Sequence, residues 1–266
     1  MALKRARLEQ SKRDCGIKAM HSQADDVRRD AQPHALRDAL DISDRINVIA
    51  EFKRASPSKG VIREGVEAVE IAGRYEAGGA AAVSVLTEED RFQGSLDDLR
   101  DVRAAVKLPV LRKDFIFDEY QLYESAASGA DALLLIVAAL DDGKLARLRN
   151  ITEDELGMDA LVEVHDKDEM RRARKAGATL IGVNNRDLHS FSVSLEVSVR
   201  LAQDVSEETI LVTESGLSSA GDLRRLRTLG YRGFLIGETL MRADAPEEVL
   251  RKLIEEAGGR GEMGKE

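Results

Sequence analysis

Tryptophan is absent from this 266-residue chain, and there are only four tyrosines and six phenylalanines. Any core must therefore be built from aliphatic side chains. The single cysteine, Cys15, excludes an intramolecular disulfide and cannot make a zinc site alone, which leaves a reducing cytosol as the default compartment. Four scattered histidines, His21, His34, His165 and His189, have no metal-ligand spacing. Long apolar runs are missing too. The longest, residues 132–140, falls far short of the roughly 20 residues that span a bilayer. The basic residues 1–13 lack the apolar segment of a signal peptide. We expect a cytoplasmic protein without membrane contact. Positive charge is in the minority, 40 Lys and Arg against 49 Asp and Glu, a net charge of −9 that disfavours nucleic acid as a partner.

What the chain does have is a repeat of short apolar runs, polar or glycine-bearing loops and amphipathic stretches of roughly 10 to 15 residues. The apolar runs fall at 47–52, 81–86, 108–113, 131–137, 159–164, 180–184, 209–214 and 232–237. Between them, Leu96, Leu99, Val102 and Val106 form one helical face, Leu223, Leu226 and Leu229 another, and Val249, Leu250, Leu253, Ile254 and Ala257 a third. Glycine ends several helices just before a strand, at 77–80, 128–131, 176–179 and 229–232. Strands that alternate with helices require a parallel sheet. Eight units predict a closed (β/α)₈ TIM barrel. A doubly wound open sheet is the rival, but residues 51–60 lack its glycine-rich nucleotide turn.

Residues 1–46 precede the repeat. One or two exposed helices are expected over 1–32, then a short amphipathic segment with Leu36 and Leu40 after Pro33. The domain reading is an N-terminal helical extension (1–46), a catalytic barrel (47–257) and a flexible tail (258–266). Gly259, Gly261 and Gly264 spell G-x-G-x-x-G in that tail, with no strand before it and no helix after it, so the match carries no dinucleotide site.

The strands end, on their C-terminal side, in residues that a core rejects: Glu51 and Lys53, then Arg112, Lys113 and Asp114, then Glu163, then Asn184, Asn185 and Arg186, then Glu214 and Ser215. A (β/α)₈ barrel has its active site on that face. Strand alternation puts Glu51 and Lys53 on one side. Any one of these residues alone reads as a solvated strand end. Two lysines, three glutamates and two asparagines at one mouth read as a site. The lysines can bind an anion or donate a proton, and desolvated carboxylates can act as acids or bases. Ser215-Gly216 and Gly237 follow strands seven and eight, where this fold commonly binds phosphate, and Ser219 with Asp222 has the spacing of a capping box.

The segments I-A-E-F-K-R-A-S-P-S-K-G (49–60), S-V-L-T-E (84–88), F-Q-G-S-L-D-D-L (92–99), P-V-L-R-K-D-F-I-F-D-E-Y-Q (109–121), A-L-V-E-V-H (160–165), I-G-V-N-N-R-D-L (181–188), V-T-E-S-G-L (212–217) and L-I-G-E-T-L-M (235–241) together resemble the indole-3-glycerol-phosphate synthase family of (β/α)₈ lyases. The resemblance runs over residues 33–257. It implies a tryptophan-biosynthetic reaction that closes 1-(2-carboxyphenylamino)-1-deoxyribulose 5-phosphate to indole-3-glycerol phosphate with loss of carbon dioxide and water, without metal or organic cofactor. The only implied partner is this small sugar phosphate, and a monomer is expected.

By the same resemblance Lys113 is the general acid of ring closure and Glu163 an acid or base of dehydration, with Glu51 and Lys53 as the opposing polar pair. Asn184 positions substrate hydroxyls or Glu163. Ser56 and Arg186, with Lys53, hold the anthranilate carboxylate, and Phe115 and Leu188 wall the aromatic ring. Glu214, Ser215, Gly216, Gly237 and Glu238 occupy the late-loop positions, of which Ser215, Gly216 and Gly237 receive the phosphate. Some relatives carry a small hydroxyl residue in place of Glu238, whose carboxylate would repel phosphate, so only its backbone N–H is expected to contribute. Phosphoribosylanthranilate isomerase shares the phosphate loops but calls for a Cys and Asp pair, and Cys15 lies outside the barrel. A non-catalytic scaffold barrel is the remaining alternative, and the presence of both Lys113 and Glu163 speaks against it.

Overall fold

Eight apolar runs fold as strands because each is buried on both faces, as parallel strands between a barrel interior and a helical coat must be. They are β1 (Asn47–Phe52), β2 (Ala82–Leu86), β3 (Val110–Lys113), β4 (Ala132–Ile136), β5 (Asp159–Val164), β6 (Leu180–Asn184), β7 (Ile210–Glu214) and β8 (Tyr231–Ile236). All neighbours pair in parallel and β8 closes onto β1, giving one closed barrel with helices between its strands. The TIM-barrel expectation is met, with differences only at strand ends. These features come from a computed structural model that describes residues 2–187, 190–204 and 208–259. Gly79, Gly129, Gly177 and Gly230, the helix-ending glycines, all take positive φ, between 82° and 96°, where a Cβ is strained.

The barrel interior is a distinct apolar cluster containing Ile49, Leu111, Leu161 and Val212 from the odd strands and Ala82, Ala132, Leu134, Leu180 and Leu235 from the even ones. It is layered as side chains from alternate strands dictate. A second, larger cluster packs the outward faces of the strands against the helices.

The N-terminal helices α1 (Ala2–Asp14), α2 (Ile17–Arg28) and α3 (Ala35–Leu40) are not bystanders. Leu36 and Leu40 of α3 are fully buried in the interior cluster and plug the barrel at the N-terminal ends of its strands. Asn47 Nδ2 donates to the carbonyls of Leu40 and Ile42, each at 2.9 Å, which fixes that plug to β1. Along the barrel flank, Met20 and Ala24 of α2 are buried, and His21 packs on Tyr123 of α6 (Glu119–Ala127). α1 reaches the opposite end: Lys4 pairs with Asp114 at 2.6 Å, Arg7 with Glu89 at 2.9 Å, and Lys12 with Asp118 at 2.9 Å, all on loops that follow β2 and β3. The two helices expected over 1–32 are there and most of their residues are exposed; their few buried side chains and ion pairs lay α1 and α2 along the barrel from its mouth to its base. Among the described residues no helix is long and apolar enough to cross a membrane.

Candidate active site

Two residues beyond the apolar layer of Ile49, Leu111, Leu161 and Val212 stand Glu51, Lys113, Glu163 and Glu214. A period of two keeps them facing inward. The uppermost layer of the barrel is therefore three carboxylates and one ammonium where a closed core would place four aliphatic groups. Glu51 and Glu163 are each 3% exposed and Glu214 fully buried, so the charges must compensate one another. Lys113 Nζ lies 2.7 Å from Glu214 Oε2 and 3.2 Å from Glu51 Oε2, and Lys53 Nζ lies 2.6 Å from Glu51 Oε1.

These contacts set the protonation states. Burial disfavours the Lys113 charge, but Glu214, Glu51 and Glu163 outweigh it and hold its pKa above the ordinary lysine range. Burial would raise Glu51, yet Lys113 and then Lys53 bring it down to about 2. Glu214 goes the other way. Burial lifts it to about 7 against the pull of Lys113, and Oε1 of this residue has no hydrogen-bond partner among the described residues. Glu163 stays below its usual value: burial opposes its charge, while His165, Lys113 and Asn184 favour it.

The loop after β1 carries Ser56, half-buried in a two-residue ladder in which Ala55 and Ser56 pair with Val61 and Gly60. Arg54 ties this loop to the segment that opens α5 (Leu96–Ala105), with 2.6 and 2.7 Å bonds to Asp98 and a 3.2 Å bond to the Gln93 carbonyl. The motif at 92–99 thus serves as an anchor for the motif at 49–60. Arg186 reaches the same loop from β6, its Nη1 donating to Ser58 Oγ and to the Phe191 carbonyl, each at 3.2 Å. Both acceptors are neutral. Asn184, at the end of β6, accepts the Arg186 backbone N–H at 3.0 Å through Oδ1.

The late loops close the ring. Ser215 and Gly216 take consecutive positive φ values of 68° and 83°, so the backbone turns sharply off β7. Ser219 and Asp222 form the predicted capping box at the start of α10 (Ala220–Arg227). Gly237 packs against the Glu51 carboxylate and Lys53 Nζ, leaving no room for a Cβ. The Glu238 carboxylate is turned to Arg242 at 3.1 Å and Lys59 at 3.7 Å. Phe115 is half-buried just past β3, its carbonyl bonded to Gln121 Nε2 at 2.9 Å. Leu188 lies outside the described residues.

Three strand-end residues do not join this mouth. Arg112 turns outward between Lys113 and the helices, bonded to Thr87 and Ser125 at 3.0 Å and paired with Glu124 and Asp114 at 2.9 and 3.1 Å. Asp114 belongs to that network and to Lys4. Asn185 is also outward, braced on Thr213 and the carbonyls of Glu214 and Ser215, where it shapes the end of β7. Neighbouring residues on a strand point to opposite faces, so only one of each adjacent pair can reach the interior. Conversely, His165 does reach the mouth, with Nε2 3.3 Å from Glu163 Oε1 and Nδ1 3.0 Å from Glu169 Oε2. The i, i+2 spacing that paired Glu51 with Lys53 also pairs Glu163 with His165, and it was legible in the sequence.

A parallel (β/α)₈ barrel whose uppermost layer is this paired array of carboxylates and lysine has the build of a barrel enzyme, a class of protein whose chemistry sits at the C-terminal strand ends. A model of the indole-3-glycerol phosphate synthase family matches residues 1–253, and the chain belongs to that family of tryptophan-biosynthetic lyases. The indole-3-glycerol phosphate synthase of Carboxydothermus hydrogenoformans is 46% identical over 256 residues, covering 95% of this chain and 97% of that protein. Its counterpart from Desulfotalea psychrophila is 52% identical over 226 residues, 85% of this chain and 86% of that one. In fold alone the chain is similar to 3-hexulose-6-phosphate synthase from Salmonella typhimurium, with a TM-score of 0.65 at 13% identity over 79% of this chain and 98% of that one. It is likewise similar to thiamine phosphate pyrophosphorylase from Pyrococcus furiosus, with a TM-score of 0.60 at 17% identity over 82% of this chain and 100% of that one.

Proposed function

We propose that this mouth converts 1-(2-carboxyphenylamino)-1-deoxyribulose 5-phosphate to indole-3-glycerol phosphate. The observation that carries the reading is the Lys113 ammonium, held between Glu214 and Glu51 at the top of the barrel with Glu163 facing it. Ring closure joins the carboxyl-bearing ring carbon to the sugar carbonyl carbon. The carbonyl oxygen gains a negative charge as that bond forms, and Lys113 supplies the proton it needs. Carbon dioxide then leaves, its bonding electrons returning to the ring. The new hydroxyl departs as water, and a proton is lost from the adjoining carbon. Glu163, kept ionised beside His165, is the group to move protons in that second stage. Asn184 steadies it. These are proton transfers and bond fissions without a redox change, so the assignment calls for no cofactor.

The substrate's two anionic ends suit the two sides of the mouth. Arg186, with neutral oxygens as its partners, and Ser56 and Lys53 on the facing loop hold the anthranilate carboxylate. Ser215, Gly216 and Gly237 offer backbone to the phosphate, with Glu238 contributing only its N–H because its carboxylate is engaged by Arg242 and Lys59. Phe115 and Leu188 flank the aromatic ring. In this reading residues 1–46 form an extension to a catalytic barrel of residues 47–257, followed by a tail, and the enzyme works as a cytoplasmic monomer. The test is direct. Purified protein, with EDTA present and with EDTA absent, should form indole-3-glycerol phosphate, followed by the absorbance or fluorescence of the indole ring; no turnover under either condition would overturn the assignment.

A further inference from the structure

Glu163 does not stand alone on its side of the mouth. His165, two residues on, is brought beside it by the strand alternation, and the imidazole is wedged between two carboxylates. Its Nδ1 is 3.0 Å from Glu169 Oε2, and the same oxygen accepts the His165 backbone N–H at 2.7 Å. Glu169 is itself placed by the first turn of α8 (Lys167–Lys175), where Asp166 caps its N–H at 2.9 Å. On the other edge of the ring Nε2 lies 3.3 Å from Glu163 Oε1, an ion-pair approach that lacks the alignment of a hydrogen bond. The imidazole side chain is 14% exposed, with Glu163 and Glu169 at 4% and 16%.

Charge balance gives this contact its meaning. Glu51, Glu163 and Glu214 share the mouth with two lysines, and both are spoken for: Lys53 by Glu51, Lys113 by Glu51 and Glu214. Without His165, Glu163 would have no cation in direct contact among the described residues. We infer that His165 is a positioning residue for Glu163, an imidazolium clamped by Glu169 that fixes the orientation of the Glu163 carboxylate and keeps it ionised in the resting enzyme, ready to accept a proton. The groups facing the ring are Glu163 from β5 and Glu169 from α8; Lys113 from β3 and Asn184 from β6 act on the same Glu163 carboxylate. Burial of the ring opposes its charge, but Glu163 and Glu169 outweigh burial and lift its pKa to about 10, so it carries charge at neutral pH.

The inference rests on the role given to Glu163 above, and the two can fail separately. If wild-type protein does not turn over the carboxyphenylamino sugar phosphate, the functional reading fails; the result for His165 is then read from its titration, followed by NMR of the ring proton on Cε1 in the wild-type protein. A ring still protonated at pH 8 supports the clamp, and a ring that titrates near pH 6.5 overturns it. With turnover established, His165→Asn keeps a hydrogen-bonding side chain but removes the charge. Its kcat should fall about tenfold with KM within threefold of wild type, and the acid limb of its kcat–pH profile should move up by about one unit, as loss of an adjacent cation requires. In a Glu163→Gln background the same change should alter kcat by less than twofold. An unmoved acid limb, or an equal loss in that background, would show that His165 does not act through Glu163.

Discussion

Replacing Gly182 by alanine disturbs the mouth without removing any charged group. Gly182 lies in the middle of β6, paired in register with Glu163 on one side and Val212 on the other, so its backbone cannot yield. A Cβ there would meet Glu214 Oε1 at less than the 3.0 Å that real Cβ contacts respect, with Leu161 Cδ1 below it at 3.3 Å. Leu161 is packed in the barrel interior, so the carboxylate is the group that moves. It is free to start moving because Oε1 has no hydrogen-bond partner, but its other oxygen is the one paired with Lys113 at 2.7 Å. The carboxylate must retreat by about 1 Å, which pulls it from Lys113, and misplacement of that size in a catalytic array costs about 10²-fold in rate. Forcing a methyl into a packed interior also destabilises by about 1–3 kcal/mol, a fall in Tm of about 2–12 °C for a chain of this size. Both are measured on the same preparation, kcat from the appearance of the indole chromophore and Tm from thermal denaturation. A Gly182→Ala enzyme with kcat within threefold of wild type and an unchanged Tm would refute the packing of Glu214 over Gly182 and its hold on Lys113.

Lys113→Ala should lower kcat by about 10² to 10⁴ with the fold intact, the usual cost of removing a general acid; activity within threefold of wild type would dispose of its role. Arg186→Ala should act chiefly on KM for the carboxylate-bearing substrate, and an unchanged KM would count against that contact. Lys4→Ala removes one charged hydrogen bond from Asp114 but leaves it paired with Arg112, and should cost about 1.5–3 kcal/mol in urea denaturation; a loss below about 0.5 kcal/mol would mean that α1 is not held by this pair. Glu51 has a folded pKa of about 2, below the ordinary carboxylate value, so its contribution to stability is present above about pH 4.5 and disappears as pH falls toward 2. That contribution is on the order of 3 kcal/mol, and Glu51→Gln should accordingly show a smaller loss of urea midpoint between pH 6 and pH 3 than wild type. Parallel acid sensitivity in the two proteins would contradict it.

Much of this molecule is local information. Apolar runs, helical faces and helix-ending glycines are properties of adjacent residues, so the barrel could be read from them before any contact was known. The residues that end the strands could be read as well, because a charged group after an apolar run is visible in one dimension. The eight motifs, taken together, pointed to the family. Direction was less legible where two polar residues are adjacent. Arg112, Lys113 and Asp114 look alike in the sequence, yet only Lys113 enters the barrel, and Asn184 and Asn185 divide in the same way. Applying strand alternation strictly would have separated them and would have added His165 beside Glu163.

The sequence by itself determined the fold class, the end of the barrel that carries polar chemistry, and the family, because hydrophobic period, glycine placement and motif order are all written along the chain. Only the tertiary structure decided which charges meet. Lys113 finds Glu214 and Glu51, Lys4 finds Asp114 at a separation of 110 residues, and α1 comes to rest on the loops after β2 and β3. The physical reason is that electrostatic partnership depends on distance and burial in space. Closing the barrel brings the ends of β1, β3, β5 and β7 into one layer, and no local pattern encodes which charge will face which across it.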